Sequence, residues 1–142
     1  MNELERIAPG AVTDLDAQEF TAEAIVAFAG QYDPQPFHLT EEAGRASLFG
    51  GLAASGWHTA AIFGRLMAAA GIDERLVEAR DLKWLKPVIA GDVLSYRSQV
   101  LAADASAEGT ILTRRNEAFN ARGEKVFEFI GRSVSRAEPL TS

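Results

Sequence analysis

At Gly71 the chain changes texture, and that change limits the folds open to it. Upstream, residues 56–70 carry the longest helical signal in the sequence, closed by Gly71. Downstream, residues 76–88, 92–103, 110–120 and 124–136 are rich in Val, Ile, Leu, Phe and Thr and partly alternate, as strands do. Leu94, Tyr96, Ser98 and Val100 share one strand face; Val93, Ser95, Arg97 and Gln99 share the other. Gly91-Asp92, Ala107-Glu108-Gly109 and Asn120-Ala121-Arg122-Gly123 supply turn residues between the strands. One long helix followed by such strands implies an α+β protein, with an antiparallel meander packed on the helix.

The segment before the long helix adds shorter elements. Ile25, Phe28, Ala29 and Tyr32 fall at i, i+3, i+4 and i+7, so residues 21–32 predict a helix with Thr21 as its cap and Glu23 in its first turn. Gly30 and the Pro34/Pro36 pair stop it. Thr40-Glu41-Glu42 starts a second helix that runs to about Ser47, and there is room for a strand before Thr21. In the long helix, Ala60, Ala61, Gly64 and Ala68 form a stripe of very small side chains. A strongly curved sheet wraps closely round a helix only where the side chains are short. The expected architecture is therefore a hot-dog fold, a curved antiparallel sheet wrapped around a long central helix.

Composition narrows the class of protein. With 142 residues, 47% of them hydrophobic and 24% charged, the chain is expected to form a single domain over residues 1–142 with its own core. It has no cysteine, which excludes disulfides, thiolate metal sites and cysteine nucleophiles. A net charge of −6 gives no electrostatic support for binding nucleic acid or an anionic membrane. Residues 46–64 lack Asp, Glu, Lys and Arg, but four glycines, Ser47, Ser55, His58 and Thr59 make them too polar to span a bilayer. The opening residues lack the basic start and apolar run of a secretory signal, so a cytoplasmic protein is expected.

The chemistry-bearing residues lie between the helices. Asp33-Pro34-Gln35-Pro36-Phe37-His38 sets a carboxylate and an imidazole five positions apart, on an arc that two prolines stiffen. Such a pair can share one water and move its protons. The structural alternative is that Asp33 only caps a helix with proline at its first position, though Pro36 argues against that helix continuing. Phe49-Gly50-Gly51-Leu52-Ala53-Ala54-Ser55-Gly56-Trp57-His58 then leads into the long helix. Its glycines permit close backbone approach, and free N–H groups at a helix start favour an oxyanion; the plainer reading is a loop with Ser55 as cap.

Together these segments resemble the MaoC-like dehydratases, which include the (R)-specific enoyl-CoA hydratases. Asp33 to His38 is similar to the family's Asp-x-Asn-Pro-x-His motif, and residues 50–56 to its glycine-rich approach to the central helix. Lys86-Pro87-Val88-Ile89-Ala90-Gly91-Asp92 resembles its Pro-Val-x-x-Gly-Asp connection. The likeness covers about residues 13–136, with two departures: Gln35 replaces Asn, and Ser55 stands where many members have His.

The resemblance implies reversible addition of water to an α,β-enoyl thioester, giving the (R)-3-hydroxyacyl thioester. Asp33 is then the expected principal base and His38 its acid partner, a division that the sequence does not settle. Gly56 is expected to offer its N–H to the thioester oxygen, with Ser55, Trp57 and Gln35 contributing to the substrate site. No metal or other cofactor is implied, coenzyme A being part of the substrate; the carrier is coenzyme A or an acyl-carrier protein. A homodimer or higher homo-oligomer is expected. A hot-dog thioesterase and a non-catalytic acyl-thioester-binding subunit are the alternatives. His58 reads as a satisfied structural group and Trp57 and Trp84 as core or tunnel wall; Arg45, Arg65, Lys83 and Lys86 read as solvent-facing cations, with contact to coenzyme A phosphates as the alternative.

Overall fold

The computed structural model of the chain describes residues 2–136. The expected helices are present: α2 (Ala22–Tyr32), α3 (Glu41–Arg45) and the long α4 (Gly56–Ala69). Each starts at a hydroxyl cap. Thr21 accepts from the N–H of Ala24, Thr40 from Ala43 and Ser55 from Trp57, which satisfies donors that a helix start otherwise leaves open. A short α1 (Glu3–Arg6), closed by reciprocal bonds between Asn2 and Glu5, was not anticipated. The N-terminal strand is two short pieces, β1 (Val12–Asp14) and β2 (Gln18–Glu19), both laid antiparallel on β4 (Val93–Ser106).

The strands β3 (Glu74–Trp84), β4, β5 (Gly109–Phe119) and β6 (Lys125–Ser135) form one antiparallel sheet in the order β1-β4-β5-β6-β3. Only β4, β5 and β6 make a meander. β3 pairs with β6 and not with its sequence neighbour β4, so it lies at the far edge. β3 also stops at Trp84 and not at residue 88. Pro87 has no N–H to continue the ladder, and the Val88 carbonyl instead accepts from Ala54 at 2.8 Å. That bond ties the end of the edge strand to the loop that leads into α4.

The expected strand faces hold in β4: Leu94, Tyr96, Ser98 and Val100 are all buried, while Val93, Ser95 and Arg97 are exposed. Leu94 and Tyr96 join Phe20, Ile25, Leu52, Phe63, Leu66 and Phe127 in the main core, while Val100 packs in a smaller cluster with Ile7 and Leu112. A buried side chain of this size stabilises the fold by about 1.5–3 kcal/mol. Tyr96 adds direction, donating its hydroxyl to the Thr59 carbonyl at 2.9 Å.

Of the small stripe on α4, only Ala60 packs against this core. Ile62, Phe63 and Leu66 are the side chains that the sheet covers, whereas Ala61, Gly64 and Ala68 are exposed and Ala60 is half-buried. The stripe runs to one side, along a cavity of about 360 Å³ between α4 and the β3 side of the sheet. Its short side chains therefore leave open space beside the helix and do not bring the sheet closer. The Gly91-Asp92 turn is structural: the Asp92 carboxylate accepts from the Ile89 N–H at 2.9 Å, and its carbonyl accepts from Phe20.

Candidate active site

Asp33 is the residue at which α2 ends, and its side chain reaches the start of α4. The extended Gln35 and the two prolines then turn the chain into a single 3-10 turn, Pro36–His38, with proline at its first positions. The turn swings His38 back toward Asp33. The Nε2 of His38 lies 3.4 Å from Oδ2 of Asp33, with the imidazole 6% and the carboxylate 17% exposed. The sequence pair is one spatial pair.

Each member is held from behind. The Nδ1 of His38 meets the Ala53 carbonyl at 2.6 Å. A carbonyl only accepts, so Nδ1 carries the hydrogen, and in the neutral ring Nε2 is left with its lone pair. Phe37 packs edge-on against the imidazole at 4.6 Å between centroids, and Phe49 lies over it at 6.5 Å. Asp33 receives two hydrogen bonds, from the Ser55 hydroxyl to Oδ2 and from the Gln35 amide to Oδ1, both at 2.7 Å. Burial pushes the Asp33 carboxyl up, but the hydrogen bonds from Ser55 and Gln35, joined by the His38 imidazole when it is protonated, hold it below its ordinary value.

Ser55 and Gln35, the two departures from the family motif, are thus the two donors that keep Asp33 ionised. Ser55 is fully buried and does two jobs: its oxygen accepts from the Trp57 N–H at 3.2 Å while its hydrogen goes to Asp33. Gly56 follows at the first position of α4, and no described hydrogen bond uses its N–H. A Cβ at Gly56 would lie 2.5 Å from Nε1 of Trp84, which donates to the Gly56 carbonyl at 2.8 Å. The glycine is therefore required by the indole laid across the helix start, a packing demand besides any role for its N–H.

Asp33, Gln35, His38, Gly56 and Trp84 line a cavity of about 430 Å³, from which the buried Ser55 is set back. Phe37, Phe49 and Val126 are among the apolar side chains of its wall. Trp57 and Trp84 stand edge to face at 5.2 Å and are 58% and 43% exposed, so both are wall and neither is core. Lys86 also lines the cavity, ion-paired with Glu124 at 2.7 Å. Arg45 pairs with Glu41, and Arg65 reaches Gln18; neither lines this cavity. His58 is structural in position, between Phe20 and Phe28, but not satisfied: its buried Nδ1 has no hydrogen-bond partner. Sequence reasoning missed Ala53, whose contribution is a backbone carbonyl, and Phe37 and Phe49 as the imidazole's brackets.

Residues 6–121 match the family described as the MaoC like domain. The Bacillus subtilis (strain 168) protein YdeM, itself uncharacterized, is 32% identical over 130 residues, which cover 88% of this chain and 92% of that one. The crystal structure of a MaoC-like dehydratase from Rhodospirillum rubrum superposes with a TM-score of 0.86 at 43% identity, over 96% of this chain and 98% of the other. An (R)-hydratase from A. caviae involved in PHA biosynthesis shares the fold, with a TM-score of 0.77 at 22% identity over 89% of this chain and 95% of that one.

Proposed function

The chain belongs to the MaoC-like domain family, and from that premise we propose that it adds water reversibly across the double bond of an α,β-enoyl thioester, giving the (R)-3-hydroxyacyl thioester. The dehydratase and (R)-hydratase named among its structural relatives support a hydro-lyase. One observation carries the reading for this chain: Oδ2 of Asp33 and the lone-pair nitrogen of His38 face each other at 3.4 Å on the wall of an apolar cavity.

Two acceptors so placed suit one water that donates a hydrogen to each and turns its oxygen lone pairs toward the substrate. Attack forms the O–C3 bond as an O–H bond breaks. The proton passes to Nε2 of His38, and the double-bond electrons move toward the thioester oxygen. The Gly56 N–H at the positive end of α4 is the donor for that oxygen. The new imidazolium then returns its proton to C2, and the electrons on oxygen re-form the thioester carbonyl. Asp33 stays ionised throughout, orienting the water and stabilising the imidazolium. This reverses the division that the family resemblance suggests, because a carboxylate held down by two donors is the weaker proton acceptor.

The scheme calls for no metal or redox cofactor, and coenzyme A or an acyl-carrier protein enters only as part of the substrate. The whole chain serves as one domain in this reading. A second copy is proposed to pair along β3, an edge strand with Leu76 and Val77 exposed at 53% and 45%. None of the described helices is long and apolar enough to cross a membrane. The test is a panel of enoyl-CoA chain lengths followed by loss of enoyl absorbance, with free thiol assayed alongside. Enoyl loss without thiol release supports the hydratase, thiol release supports a thioesterase, and binding with neither supports a non-catalytic subunit.

A further inference from the structure

We propose that Trp84 is a positioning residue for the catalytic pair, acting on Asp33 through the Gly56–Trp57 peptide and the Ser55 hydroxyl; this rests on the hydratase reading of the site. Four groups stand in one line of donation. The Trp84 indole N–H donates to the Gly56 carbonyl at 2.8 Å. The N–H of that same peptide unit, on Trp57, donates to Oγ of Ser55 at 3.2 Å. The Ser55 hydroxyl donates to Oδ2 of Asp33 at 2.7 Å. Oδ2 is the carboxylate oxygen that faces His38.

Every bond in this line points toward the carboxylate. A peptide whose carbonyl accepts a further hydrogen bond becomes a better donor at its N–H, and a hydroxyl that accepts a stronger bond becomes a better donor in turn. Trp84, on the cavity wall, therefore strengthens the grip of Ser55 on Asp33 without touching the carboxylate itself. Its geometry shows a built contact: residue 56 has no Cβ, and any Cβ there would strike the indole at 2.5 Å. The Trp84 ring also packs on Phe127 at 5.6 Å and Trp57 at 5.2 Å, so its N–H is held in place. Trp84 is the last residue of β3, and the line thus couples the edge strand of the sheet to the carboxylate of the site.

The titratable group in contact with Asp33 is His38, and Lys86, paired with Glu124, lies elsewhere on the wall of the same cavity. None of them is altered by removing the indole N–H. The test is the carboxyl-carbon NMR titration of Asp33 in the substrate-free protein, compared in wild type, Trp84→Phe, Ser55→Ala and the double variant, with melting curves for each. Trp84→Phe is expected to move the Asp33 midpoint to higher pH, and to move it no further once Ser55 is alanine. It should also lower kcat about twofold at constant KM, the scale of one lost step of hydrogen-bond cooperativity. If Trp84→Phe does not fold, a tryptophan analogue with sulfur in place of the ring N–H keeps the shape and removes the donor. An unmoved midpoint, or the same movement with and without Ser55, overturns the proposal. The titration needs no turnover: the expected pattern in a protein that hydrates no thioester sinks the hydratase reading and keeps the relay, while hydration without the pattern sinks the relay alone.

Discussion

The Nδ1 of His38 donates to the carbonyl of Ala53 at 2.6 Å, and this bond decides which nitrogen of the ring can work. Ala53 is itself pinned, its N–H donating to the Phe37 carbonyl at 3.0 Å. The loop before α4 and the turn carrying His38 thus hold each other. With one nitrogen committed to the backbone, the other turns its lone pair toward Asp33, as the proposed base requires, and the imidazole is only 6% exposed.

Ser55→Ala should harm both chemistry and stability. It removes a donor to the Asp33 carboxylate and the side-chain cap of α4. The cap is worth about 1 kcal/mol, and a hydrogen bond to a charged group is strong enough that about a tenfold loss of kcat is expected. The sign for pH follows from Asp33, whose folded pKa is held below its ordinary value. Stability from Asp33 is present above the unfolded pKa and is lost as pH falls through the folded one. Without Ser55 the folded pKa rises, so less of that stabilisation remains and its loss is complete at a higher pH. Denaturant melts across the acid range, beside kcat at neutral pH, measure both effects.

His58 should make the fold acid-sensitive. Burial, then the charge of Arg65, lowers its pKa from the ordinary value of 6.5, and its Nδ1 has no partner that would welcome a proton. Above 6.5 the folded and unfolded states are both neutral at this group. Below it, the unfolded chain takes up a proton that the folded chain resists, so stability falls with pH until the folded pKa is reached. His58→Phe keeps a ring beside Phe28 and removes the titration. The slope of melting temperature between pH 7 and pH 5 should be shallower in this variant; an unchanged slope would show that His58 contributes nothing to it.

Gly56→Ala separates packing from chemistry. Its Cβ would meet the Trp84 indole at 2.5 Å, an overpacking clash expected to cost about 1–3 kcal/mol. Trp84→Ala should relieve most of that clash, making the pair of changes strongly non-additive in thermal stability. If turnover per folded molecule also returns in the pair, the Gly56 N–H has survived the substitution. Simple additivity in the melting curves would contradict the contact.

Edge pairing through β3 should appear as a dimer in sedimentation at micromolar concentration. The straight stretches of that edge are short, because register shifts between Leu76 and Glu78 and between Arg80 and Lys83 interrupt it, the second with Asp81 at φ 56°. Leu76→Glu, at the exposed part of the strand, is expected to shift the equilibrium to monomer. A wild-type protein that sediments as a monomer and is active would contradict the assembly.

Much of this was legible in the sequence, for local reasons. Thr21, Thr40 and Ser55 announce their helices through capping chemistry, and the alternation through Leu94, Tyr96, Ser98 and Val100 marks the buried face of β4. The placement of β3 beside β6 was not legible, since strand composition carries no record of which partner is reached across a long connection. The small stripe misled because helical spacing shows that Ala61, Gly64 and Ala68 share a face without showing what that face meets. At the site, Asp33 and His38 were readable as a motif. The Ala53 carbonyl was not, because a backbone acceptor leaves no mark on residue identity. Ser55 and Gln35 stood out as departures from a pattern, and only their distances to Asp33 show that they support it.

The most direct test of the central claim is hydration of an enoyl-CoA by wild type, Asp33→Asn, His38→Ala and the double variant, each shown to be folded. Wild type should consume the enoyl absorbance without releasing thiol. Each single change should reduce kcat at least about a hundredfold, the scale of a lost general acid or base. The double variant should be little worse than either, because both groups act on one water. Near-normal turnover in either folded single variant would contradict the mechanism.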